Sequence, residues 1–296
     1  MRKSLLTVLL FSFIIYVDAN AQRLIERGMT LNPLNHPGVD VAEGEVEWFP
    51  QVGGWASFGN YGLYSDDDHT WYQHLGAYVE IYRRGNESSL ALTSQIEFIA
   101  NSDNDINFSP RAIFWEEGLL YTRSAGRSYW QLGYYHRCKH DIDNLRFGEE
   151  RTMVFGSVLA RFIAPFSLRN IDDGLLSVQY DHYTITWEKR TPAEFRSDRK
   201  NWGNLINSLK VNSAWKATNG RSANLYLDNY LMATLTSEEV LLSDKIRAEV
   251  GARTGAGEVR FGVHLEHLGD SGIPVQPKAS TLLGIGVRIM SPGSVL

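Results

Sequence analysis

The chain has 296 residues, with 29 Lys or Arg against 34 Asp or Glu and a formal net charge of −5. That balance lacks the basic excess expected of a nucleic-acid binder, and a lone cysteine, Cys138, excludes an internal disulfide. After the N-terminal leader no stretch reaches 18 consecutive apolar residues, which excludes a bundle of membrane helices. Residues 1–21 have the form of a secretory signal peptide: Arg2 and Lys3, an apolar run from Leu5 to Val17, then Ala19 and Ala21 ahead of Gln22. Residues 22–44, with Pro33 and Pro37 and little periodicity, read as an irregular N-terminal arm; 45–296 form the folded body.

From Glu45 onward apolar and polar residues alternate with a period of two, the mark of strands with two unlike faces. The spacing predicts about 12 strands, over 45–59, 70–83, 88–100, 108–122, 127–138, 151–164, 174–188, 204–217, 222–236, 244–253, 257–267 and 279–290. Late in the chain the pattern is cleanest. Ile246, Ala248, Val250 and Ala252 alternate with Arg247, Glu249, Gly251 and Arg253, and Val259, Phe261, Val263 and Leu265 alternate with Arg260, Gly262, His264 and Glu266. Short turns (Gly85-Asn86-Glu87, Ser124-Ala125-Gly126, Thr218-Asn219-Gly220, Thr254-Gly255-Ala256) take turns with longer polar loops (Ser65 to His69, Ser102 to Asn107, Lys139 to Glu150, Lys189 to Gly203, Gly269 to Pro277).

Alternation alone suits a soluble sandwich as well as a barrel in lipid. The loop asymmetry, the Gly and paired charges on the polar face, and aromatics near strand ends such as Trp71, Tyr121, Trp130, Trp187 and Trp215 favour lipid on the outside. The expected fold is all-β, an antiparallel transmembrane β-barrel of about 12 strands. The chain resembles a bacterial outer-membrane barrel, and Thr281 to Ile289 is similar to the terminal signal by which such barrels are recognised for insertion. The resemblance implies residence in the cell outer membrane, with outer-membrane lipid and the barrel-assembly machinery as partners. A barrel of this size should be narrow inside, filled by residues such as Tyr78, Tyr226 and Tyr230.

One segment carries candidate chemistry: Gly133-Tyr134-Tyr135-His136-Arg137-Cys138-Lys139-His140. His136 and Cys138, two apart, share the face of Leu132 and Trp130, the lipid-facing one. The segment resembles the Gly-Tyr-x-His-x-Ser motif of outer-membrane phospholipase A and the His-x-Ser pair of the lipid A deacylase. By that resemblance His136 would be the general base and Cys138 the nucleophile, with Glu150 as the orienting acid. Cys stands where those families have Ser, and Lys139 where Asn usually follows. The same residues also read as interfacial polar groups with Cys138 as a small filler, or, with His140, Asp141 and Asp143, as ligands for zinc or copper. His264 and Glu266 read as luminal charges balanced by Arg260 and Arg288, and Asp66-Asp67-Asp68-His69 as a solvated turn. No cofactor or metal is assigned. The leading expectation is a narrow channel or structural barrel of unknown solute; the alternative is an outer-membrane lipid acyl hydrolase using His136.

Overall fold

The computed structural model describes residues 30–35, 39–65, 67–142, 150–168, 171–191, 205–218, 220, 223–237, 240–254, 257–269 and 279–291. The expected signal peptide and parts of the longer loops lie outside these residues. Among the described residues thirteen strands form one antiparallel sheet: β1 (Val46–Trp48), β2 (Val52–Tyr64), β3 (Trp71–Arg84), β4 (Ser88–Asn101), β5 (Ser109–Ala125), β6 (Ser128–Asp141), β7 (Glu150–Leu168), β8 (Ile171–Thr191), β9 (Asn207–Lys216), β10 (Asn224–Leu235), β11 (Val240–Thr254), β12 (Gly257–Leu268) and β13 (Ser280–Met290).

Strands β2 to β13 close into a twelve-stranded barrel. Each pairs with the next in sequence, and β13 returns to β2, with Met290 opposite Trp55 and Val287 opposite Phe58. Closure leaves no edge of the ring to present unpaired backbone to lipid. Short β1 continues the line of β2 and pairs with the end of β3, Val46 opposite Arg84. The two are separated at Phe49–Gln51, where Phe49 takes a left-handed φ of 53°. The expected first strand, 45–59, is therefore one line broken by a kink.

The period of two decides the polarity of the wall. Outward residues are apolar and exposed: Val250 56%, Phe261 56%, Val263 50%, Ile285 52%. Residues in the alternate phase of the same strands point inward and are buried and charged: Glu249, Arg260, Glu266 and Arg288. A soluble sandwich buries its apolar face; here the apolar face covers the outside, an area too large and continuous for water. Aromatics ring both rims, with Trp130 packed on Phe162 at 4.8 Å near the short turns and Trp71 and Tyr64 near the long loops. Among the described residues no helix is long and apolar enough to cross a membrane.

The lumen is packed with side chains, as a barrel this narrow requires. Tyr78, Tyr226 and Tyr230 all lie inside and are buried. Ion pairs fill much of the rest. On β10–β13, Arg288 contacts Glu249 (Nε–Oε1 2.8 Å) and Asp228, while Arg260 Nε meets Glu258 at 2.9 Å. Across β5–β9, Arg137 contacts Glu116 and donates to Ser157 Oγ at 2.7 Å, and Lys210 Nζ lies 2.8 Å from Asp181. Charges inside a protein need partners with good geometry, and the antiparallel register supplies them from neighbouring strands.

The N-terminal arm enters the barrel. Thr30 to Leu34 are buried at the mouth that carries the short turns. Luminal side chains hold the backbone of this segment: Gln131 Nε2 donates to Leu31 O at 2.8 Å, Gln51 Nε2 to Pro33 O at 2.8 Å, and Arg83 to the same carbonyl. Asn212 Nδ2 donates to Thr30 Oγ1 at 3.1 Å. Leu31 packs with Trp55, Tyr78 and Leu120 in one apolar cluster.

Candidate functional site

The segment around His136 forms most of β6, whose alternation is kept through to Asp141. His136 is exposed on the outer wall and Cys138 is half-buried on the same face, while Arg137 and Lys139 between them point into the lumen. The neighbouring strands bring further polar groups to that face. On β5 the residue directly opposite His136 is Glu117, and opposite Glu117 on β4 is Ser94; both are exposed. Directly paired side chains have Cβ atoms roughly 4.5–5.5 Å apart, so Ser94, Glu117 and His136 form one polar row. Cys138 stands beside it, opposite Trp115.

On the other side of His136 the register partner is Gly156 of β7. A Cβ there would overlap the Tyr134 hydroxyl, so the phenol lies across the glycine and next to the His136 row. Below the row, Ala77, Val79, Leu92 and Leu119 border a shallow outer groove of about 470 Å³ that Ser94 and Glu117 close. The wall thus presents a polar strip with an apolar trough beneath it.

Glu150, the acid expected from the resemblance, is on β7 as well, opposite Thr191. It lies six positions along the strand from Gly156, which at strand rise is about 20 Å. The register brings Glu117 to His136 and leaves Glu150 remote. The alternative metal set is divided by the same phase rule. His140 shares the outward face and sits 3.0 Å from Thr152 Oγ1, but Asp141 points inward and is buried. Asp143 lies outside the described residues, among which no group of three or more His, Cys, Asp or Glu side chains could hold a metal ion.

His264 and Glu266 face the lumen as expected, with different partners. Glu266 accepts from the Tyr61 hydroxyl at 3.0 Å and lies 3.6 Å from Lys245; the His264 ring packs edge-on against Tyr61 at 5.3 Å and Tyr72 at 5.4 Å. Arg260 and Arg288 are taken by Glu258, Glu249 and Asp228. The acidic turn also differs from expectation. Asp68 and His69 fold back into the long-loop mouth and are buried, with Asp68 Oδ1 accepting from Asn101 Nδ2 at 3.0 Å and 3.3 Å from Arg111.

No family model matches the chain, and no curated protein matches it in sequence. Solved structures match it in fold. The outer membrane phospholipase of Salmonella typhi, a dimer with bound calcium, is 11% identical, with 87% of this chain and 95% of that one covered at a TM-score of 0.50. Outer membrane phospholipase A from Escherichia coli is 10% identical over 81% of this chain and 92% of its own, TM-score 0.48. The toluene transporter TodX of Pseudomonas putida is 6% identical over 92% and 100%, TM-score 0.42. At such identities the likeness is one of fold: this chain is a twelve-stranded β-barrel of the outer-membrane type. Fold of this kind does not fix an activity.

Proposed function

We propose that this chain resides in the outer membrane as a narrow conduit that is closed at rest, with Thr30 to Leu34 as its stopper. The observation that carries this reading is the grip on that segment: Gln51, Arg83 and Gln131 donate to its carbonyls inside a polar lumen. Such bonds are individually worth about 0.5–1.5 kcal/mol, rising to about 3 kcal/mol where the donor is charged. Side chains that hold backbone carbonyls fix a segment in place without making it part of the wall. The test is single-channel conductance in planar bilayers. The wild type should show small, infrequent openings, and Gln51→Ala combined with Gln131→Ala should raise open probability severalfold. Equal, wide-open conductance in both proteins would rule the stopper out.

A specific observation favours a second reading, a lipid acyl hydrolase on the outer wall. Carboxylate and imidazole are costly in contact with lipid, and ionisable groups placed there are functional candidates by default. Glu117 and His136 sit there as direct cross-strand partners. In this reading Cys138 attacks an acyl ester, His136 takes the thiol proton and returns it to the leaving alcohol, and Glu117 rather than Glu150 orients the ring; water, deprotonated by His136, then cleaves the Cys138 thioester, releasing the fatty acid and restoring the thiol. The trough below the row would seat the acyl chain. Fatty-acid release from phospholipid or lipopolysaccharide vesicles should fall at least 100-fold in His136→Ala and in Cys138→Ala, and about 10-fold in Glu117→Gln. No release by the folded wild type would end this reading.

A further inference from the structure

We propose that the short-turn mouth of the barrel holds a binding site for a small organic anion, its charged head seated among Arg127, Lys216, Arg253 and Arg260 and its apolar body against Leu175. This goes beyond the conduit reading, because binding at the mouth needs no passage through the lumen. A cavity of about 450 Å³ opens there, and all five residues line it. The cations come from separate elements: Arg127 from the turn between β5 and β6, Lys216 from the end of β9, Arg253 from β11 and Arg260 from β12.

Among the described residues Asp228 is the one acid in the lining, and its carboxylate is already engaged by Arg288, with Arg247 3.9 Å away. Glu258, on the same inward face of β12, is shared by Arg260 at 2.9 Å and Arg253 at 3.3 Å. Lys216 lies opposite Asp173 of β8 and Tyr226 of β10 in the register. Arg127 makes no ion pair among the described residues and stands exposed at the rim. Among the described lining residues four cations stand against one carboxylate, and like charges held together in a half-enclosed space repel more strongly than in bulk water. An anion relieves that repulsion.

Arg260 is fixed for the purpose: its guanidinium lies 3.6 Å over the Tyr226 ring, a stacking that presets its plane. The volume is within the range of small-molecule sites and far exceeds what an inorganic ion fills. The buried Leu175 side chain supplies an apolar surface next to the cations. Charge and shape together select a compact anion carrying a hydrophobic group, such as a phosphate monoester.

Titration calorimetry on the detergent-folded full-length protein tests this with three probes: phenyl phosphate, inorganic phosphate and benzyl alcohol. The expected result is saturable one-to-one binding of phenyl phosphate, at least threefold weaker binding of inorganic phosphate and none of benzyl alcohol. Arg127→Gln with Lys216→Gln, both at the rim, should lower phenyl phosphate affinity at least tenfold while leaving the β-sheet circular dichroism unchanged. Absence of saturable phenyl phosphate binding, unchanged affinity in the double variant, or equal binding of inorganic phosphate would each overturn the proposal. Binding without conductance in the stopper variants counts against the conduit alone, and conductance without binding counts against this site alone.

Discussion

At the scale of single residues, the lumen is a set of charges that each depend on a named partner. Arg288 is the clearest case. It is buried, and it serves both Glu249 and Asp228. Removing one member of a buried pair leaves the rest uncompensated, at a cost of about 3–5 kcal/mol. Arg288→Met should therefore lower stability by about that amount in reversible urea unfolding from detergent, and Arg288→Met with Glu249→Gln should recover part of it. An effect below about 1 kcal/mol would mean that the network is wet and loosely held. The outer wall makes the opposite prediction. Glu117 faces lipid near the middle of β5, where charged groups are destabilising in a depth-dependent way. Glu117→Leu should stabilise the barrel by about 1 kcal/mol, the pattern of a residue retained for function at the expense of stability. A destabilised variant would show that Glu117 is structural. Which luminal residues face inward was legible in the sequence, because that follows from phase along one strand. Their pairing was not. Glu266 meets Lys245 and Tyr61 rather than Arg260 or Arg288 because partners are set by register between strands, and the same register places Glu117 directly opposite His136.

At the scale of elements, the period of two located all twelve barrel strands, most with bounds within a few residues. Single-residue irregularities carry no such signal. The kink at Phe49–Gln51 and the bulges beside Ile81 and between Gly156 and Ser157 are settled by closure of the ring. The N-terminal arm also escaped the pattern: Thr30 to Leu34 alternates with nothing, since it is held by side chains from three strands and from Gln51 in the kink instead of by a ladder. Gly156 shows how a close approach shapes an element. Tyr134 crosses from β6 onto β7 only because no side chain stands there. Gly156→Val should push the phenol off the strand and cost about 1–3 kcal/mol by overpacking, read as a lower midpoint of thermal unfolding. An unchanged midpoint would show that the crossing contributes nothing to the β6–β7 pairing.

At the scale of the whole molecule, one rule accounts for the architecture. A closed ring satisfies its own backbone, so its outside can be apolar and its inside polar. Twelve strands enclose a space that side chains can fill, and the charged networks, with the N-terminal segment below them, fill it. The short-turn mouth keeps a basic cavity, the outer wall keeps a polar strip, and in the conduit reading proposed above the lumen between the mouths is sealed at rest. That seal is the central claim. The direct measurement is the labelling rate of single cysteines by a membrane-impermeant maleimide in vesicles, in a Cys138→Ser background. Ser57→Cys, Ser177→Cys and Ser243→Cys probe buried luminal positions, and Asp103→Cys, half-exposed at the long-loop mouth, gives the reference. The account predicts that the three luminal thiols react at least 100-fold more slowly than the one at the mouth. Luminal labelling at the reference rate would contradict it and make this barrel an open, water-filled pore.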